Sequence, residues 1–211
     1  MEFKKIQLNG FKSFAEKTNF LIEDGLTGIV GPNGCGKSNI VESLRWVMGE
    51  TSAKSMRGSG MEDVIFSGTS NKASKNIAEV SIEVENKDKE GPIQYRETEQ
   101  IQVRRKIEKD KGSKFYINDK EVRARDAQMF FADLSTGAHS PSMISQGRIG
   151  ALVTAKPTDR RAILEEAAGI SGLHVRRHEA ELRLGAAENN LKRADELRRQ
   201  QEKQLANLQK Q

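Results

Sequence analysis

The chain has 211 residues, 36% hydrophobic and 31% charged, with 35 basic against 30 acidic residues and a net charge of +5. That balance supports one core plus a segment too polar to join it, and it excludes a membrane protein, because no stretch approaches the ~20 apolar residues a span needs. The single cysteine, Cys35, excludes an internal disulfide framework and fits a reducing, cytoplasmic compartment; no apolar run follows the first residues to make a signal peptide.

Ile6 and Leu8 alternate with Lys5 and Gln7, the pattern of a half-buried first strand. Residues 10–14 read as a turn into a second strand near 18–22. Within that turn Lys12 and Ser13 are either a surface bend or the lip of a pocket, and position alone favours the surface. Residues 26–30, a short apolar run, predict a buried strand.

Residues 31–38 then spell G-x-x-x-x-G-K-S, the phosphate-gripping P-loop pattern. Its glycines let the backbone turn so that N–H groups point at an anion. The helix that follows, with Ile40, Leu44 and Val47 on one face, adds the positive end of its dipole. Lys37 can reach β- and γ-phosphates and the Ser38 hydroxyl can ligate Mg²⁺. Cys35 inside the loop has no partner for a redox switch and reads as a small side chain.

Gly49 ends that helix, and residues 51–60 form a loop of small and basic residues in which Arg57 is either solvated or placed to reach a phosphate. Strict alternation over 78–85 and again over 101–107 predicts two strands, and Asn118-Asp119 predicts a tight hairpin between Phe115-Tyr116-Ile117 and Val122. An antiparallel sheet over roughly 77–122 is expected beside the strand that feeds the P-loop. Residues 123–134 read as a helix. Two imitations lie at its end, an apolar run closing on Asp133 and the sequence Leu134-Ser135-Thr136-Gly137. The first has helical period and no following glutamate; the second lacks a second glycine.

Gln146 lies beside Gly147, where an amide can position Mg²⁺ or a water, or can be a polar residue in a turn. Pro157 opens a further helix that Gly169 ends, and Ser171 can cap the next. From there Ala180, Leu184, Ala187, Leu191 and Ala194 recur at alternating 4 and 3 spacing, a coiled-coil seam interrupted at Arg198 and Gln201. Such a helix implies a partner helix. His174 and His178 have metal-ligand spacing, but no third ligand accompanies them.

Read together, residues 10–14 (GFKSF), 31–39 (GPNGCGKSN), 44–50 (LRWVMGE), 56–66, 144–149 (ISQGRI) and 160–171 resemble the N-terminal head segment of SMC (structural maintenance of chromosomes) proteins, most closely the bacterial chromosome-partition type. The resemblance implies an α/β P-loop NTPase, the N-terminal half of an ABC-type ATPase head over 1–168, with an antiparallel β subdomain and a long coiled-coil helix emerging over 169–211. It implies ATP and Mg²⁺ as ligands. Lys12, Ser13, Pro32, Asn33, Gly34, Cys35, Gly36, Lys37, Ser38 and Asn39 would hold the nucleotide, with Lys37, Arg57 and Gln146 in catalytic roles and Ser38 and Gln146 on the metal. Lys120, Arg123 and Arg125 match positions that contact DNA phosphates.

The implied partners are the protein's own C-terminal head half, a second SMC subunit in a homodimer, a kleisin and double-stranded DNA at the nucleoid. Gly60 stands where the family often has a lysine. No signature motif and no Asp-Glu strand end follow, so the chain reads as a fragment inactive alone. The alternatives are a double-strand-break repair ATPase with a similar coil, or a structural coiled-coil DNA binder with a decayed site.

Overall fold

Alternation of apolar and polar residues builds one six-stranded sheet. The computed structural model describes residues 1–211 except 88, 90, 135–142, 145–149, 151–152, 169–170 and 209–211. The strands are β1 (Glu2–Asn9), β2 (Thr18–Leu21), β3 (Ile77–Glu85), β4 (Gln100–Glu108), β5 (Gly112–Ile117) and β6 (Lys120–Val122), in the spatial order β2-β1-β3-β4-β5-β6, antiparallel throughout. Ile6 and Leu8 of β1, Val80 and Ile82 of β3, and Ile101 and Val103 of β4 turn to one face and are buried. That is the period-2 consequence of the pleat. The other face carries cross-strand ion pairs, among them Lys5 with Glu83 at 2.9 Å and Arg104 with Asp119 at 2.9 Å. Asn118 and Asp119, at φ 48 and 62, make the tight β5–β6 turn; both central residues of a type I′ turn need positive φ.

Helix α1 (Lys37–Val47) packs on β3 and β4, burying Ile40, Trp46 and Val47. Trp46 is the largest fully buried side chain; its ring lies 5.4 Å from that of Phe11 and 4.5 Å from the guanidinium of Arg105. Helix α2 (Ala124–Asp133) packs on β5 through Ala127, Phe130 and Phe131. Residues 129–133 are therefore helical, as their period requires. Further along lie α3 (Pro157–Ala167) and α4 (Ser171–Leu208).

The chain divides into two compact units, Met1–Gly169 and Ile170–Gln211. In the second, the 38 residues of α4 extend about 57 Å at 1.5 Å per residue. Its seam residues Leu184 and Leu191 are exposed. Among the described residues no helix is long and apolar enough to cross a membrane.

One expected element is absent. Residues 26–30 form no strand, and Leu26 and Val30 are almost wholly exposed. The sheet accordingly does not lie beside a strand feeding the P-loop. A strand needs a neighbour for its N–H and C=O groups, and the six strands of this sheet pair with one another, not with this run.

Candidate functional site

The glycine turn delivers α1 with an uncapped N-terminus. Gly36 has φ 95 immediately before the first helical residue, Lys37, and no side chain caps the helix. Gly34 also has positive φ, 83. A Cβ at Gly36 would come within 2.4 Å of Ser13 Oγ, so only glycine lets the loop pass so close to the 10–14 turn. Pro32, Asn33, Gly34, Cys35 and Ser38 are exposed around this turn. The Lys37 ammonium folds along the loop and donates to the carbonyl oxygens of Gly31 and of Pro32, the latter at 2.6 Å. An exposed glycine turn, an uncapped helix N-terminus and a cation thus lie together, groups suited to an anion.

Four other expected residues meet beside it. Asn39, one turn into α1, donates through Nδ2 to Ser13 Oγ at 2.9 Å and accepts through Oδ1 from Arg57 Nη2 at 3.0 Å. Lys12 donates to a Glu42 carboxylate oxygen and to the Met56 carbonyl. Arg57 Nε pairs with the other oxygen of Glu42. Ser13 and Arg57 are exposed and Lys12 is half-buried, so these residues lie at the surface and are held together there by these bonds.

The backbone explains the grouping. Lys12 N–H donates to Val64 O at 2.7 Å and Phe66 N–H to Gly10 O at 2.8 Å, which ties the 10–14 turn to the segment after Arg57. Met56 and Val64, each 1% exposed, anchor that segment in the core on either side of Arg57. Arg57 itself has φ 53, a conformation that costs a non-glycine residue about 1–3 kcal/mol and persists where surroundings impose it.

Asp63 closes the same loop. Its Oδ2 accepts from the N–H of Ser59 at 2.6 Å and of Gly60 at 3.0 Å, and these bonds hold its carboxyl below the ordinary value of 3.8. A depressed acid stabilises the fold above its unfolded pKa and loses that contribution as pH falls through its folded one. Amide exchange at Ser59 and Gly60 is therefore expected to be slow at pH 6 and to accelerate below pH 3.8 beyond the intrinsic trend, with Asp63→Asn showing the fast behaviour at both. Exchange that is equally fast in wild type at pH 6 would contradict the cap.

Lys120, Arg123 and Arg125 cluster at the junction of β6 and α2, all exposed. Arg123 N–H is held by Asp126 Oδ2 at 3.2 Å, so the turn has fixed geometry. Gln146, and the sequence at 135–137, lie outside the described residues.

The model of the RecF/RecN/SMC N terminal domain family matches residues 2–148. The chain belongs to that family. It is 56% identical over 197 residues, 93% of its length, to the chromosome partition protein Smc of Cereibacter sphaeroides, and 53% identical over all of its length to that of Rhodopseudomonas palustris. It spans 17% and 18% of those two relatives. Among solved structures it resembles an Smc head bound to the C-terminal winged-helix domain of ScpA, with TM-score 0.74 and 31% identity over 81% of this chain and 52% of that one. A Pyrococcus furiosus Smc head with an extended coiled coil, bound to the C-terminal domain of ScpA, gives TM-score 0.73 and 32% identity over 92% and 48%. The fold is thus the α/β P-loop fold of SMC head domains.

Within this SMC-family head segment, one residue escaped the sequence reading. Glu42 is 8% exposed and touches both Lys12 and Arg57. Its signal was a carboxylate three residues after Asn39, on the same side of α1.

Proposed function

We propose that this chain is the phosphate-gripping segment of an ATP-driven, DNA-organising head, residues 1–168, continued by the start of a coiled-coil arm, 169–211. The observation that carries the reading is the left-handed Gly36 at the uncapped start of α1 beside the Lys12–Ser13–Asn39–Arg57 group. In this reading the loop N–H groups of residues 33–38 bind the β-phosphate. Lys37 exchanges its two carbonyl partners for phosphate oxygens. The Ser38 hydroxyl and Gln146 hold Mg²⁺, which when bound neutralises charge on the β- and γ-phosphates. Lys12 and Ser13 border the nucleoside side, and Arg57 approaches the γ-phosphate. Lys120, Arg123 and Arg125 bind DNA phosphates without reading sequence.

Support comes from the solved relatives. One, 30% identical with TM-score 0.70, is described through ATP-driven dimerisation and DNA-stimulated activation of SMC ATPases, and two are bound to ScpA. The proposed partners follow: a C-terminal head half, a second copy, a kleisin of the ScpA kind and double-stranded DNA at the nucleoid. The group that activates water is assigned to the C-terminal half. ATP turnover by this chain alone is accordingly expected to match the buffer blank and to appear when the C-terminal head half is added. Robust turnover by the chain alone would overturn the assignment.

A further inference from the structure

Glu42 presents an arrangement that neutralisation alone does not require. It is a buried carboxylate on α1, and one cation would satisfy it. It has two. Lys12 takes one oxygen and is tied at the same time to the Met56 carbonyl. Arg57 takes the other through Nε, while Nη2 of the same edge is held by Asn39 at 3.0 Å.

Lys12 and Arg57 share the single carboxylate of Glu42, and the Asp63 carboxylate lies within electrostatic reach of Lys12. The contacts also select which part of the guanidinium is used. The side edge of Arg57, Nε and Nη2, faces α1, so Glu42 and Asn39 do not use the Nη1–Nη2 end, a fork that can grip a phosphate through two parallel bonds. The Arg57 side chain is still 58% exposed, so it is aimed without being enclosed.

We propose that Glu42, itself anchored by Lys12, is a positioning residue that holds Arg57 pre-aimed for the terminal phosphate of a nucleoside triphosphate. The inference rests on the nucleotide reading above and deepens it, because it makes Glu42 a determinant of triphosphate over diphosphate binding. An arginine fixed before binding loses less side-chain freedom when the phosphate arrives. Only a ligand long enough to reach Arg57 gains from this.

Calorimetric titration of the full chain with MgATP and with MgADP tests it. Glu42→Gln keeps the shape and removes the charge. It is expected to weaken MgATP about five- to tenfold while leaving MgADP within about twofold. Arg57→Ala is expected to produce the same selective loss, and the double variant no more than either alone. Glu42→Asp keeps the charge on a shorter arm and guards against a misfolded Gln variant; it is expected to fall between wild type and Glu42→Gln in the ATP-to-ADP ratio.

An equal loss for both nucleotides in the two Glu42 variants would mean a merely structural role and overturn the inference. So would effects of Glu42→Gln and Arg57→Ala that multiply. Wild type that binds neither nucleotide would instead overturn the phosphate-gripping reading itself.

Discussion

Replacing Arg105 with leucine is expected to lower the unfolding free energy by about 3–5 kcal/mol, read as a shifted urea midpoint at unchanged slope. Arg105 sits on β4 at an inward position between Val103 and Ile107 and is 3% exposed. Its Nη1 donates to the carbonyls of Trp46 and Glu50, each at 2.7 Å, and its Nε to Ser113 Oγ at 2.8 Å. The guanidinium lies 4.5 Å from the Trp46 ring and 4.6 Å from that of Phe115. It therefore bonds Trp46 O, which also accepts from Gly49 N–H at 3.1 Å, and Glu50 O just beyond α1, and ties that end of the helix to the sheet.

Burial pushes the Arg105 pKa down to about 10, opposed by the charge of Glu50, so the group stays protonated at neutral pH. Leucine would save the desolvation of that charge but remove three hydrogen bonds from a charged donor, at about 1.5–3 kcal/mol each. It would also forfeit the two ring contacts, and these losses outweigh the saving. Arg105→Lys keeps the charge without the fork and is expected to recover only part of the stability. A leucine variant within about 1 kcal/mol of wild type would show that the carbonyls find other donors.

Arg105 also marks what could be read from sequence. The alternation of β3 and β4 was legible because each strand buries one face and exposes the other, so Ile101, Val103 and Ile107 announce the parity. The charged residue at that same parity announced a buried partner, but not that the partner would be the end of a helix 55 and 59 residues earlier. Lys12, Ser13 and Arg57 were ambiguous for the same reason. Their roles depend on hydrogen bonds such as Lys12 N–H to Val64 O, which join segments with no local signal for each other. Residues 26–30 misled because an apolar run states only that burial is favourable; whether it becomes a strand depends on a neighbouring strand, and pairing leaves no trace in the run itself. The left-handed glycines and the helix start of residues 31–38 were readable because they are set locally, within eight residues.

Removing that lysine has the largest expected effect on binding. Lys37→Ala is expected to weaken MgATP by on the order of 100- to 10,000-fold, since two charge-assisted bonds at about 1.5–3 kcal/mol each are lost. The fold should hardly notice. Lys37 lies outside the hydrophobic cluster formed by Ile40, Trp46, Val47 and the sheet, and its present partners, Gly31 O and Pro32 O, belong to an exposed loop whose carbonyls water can serve. The urea midpoint is therefore expected to stay within experimental error while the calorimetric signal for MgATP disappears. That combination separates Lys37 from Arg105, whose loss unfolds the scaffold, and from Glu42, whose loss tilts selectivity between nucleotides. MgATP affinity within about threefold of wild type in Lys37→Ala would remove the lysine from the phosphate site, and the head would then be better described as a structural coiled-coil element whose glycine loop no longer grips a nucleotide.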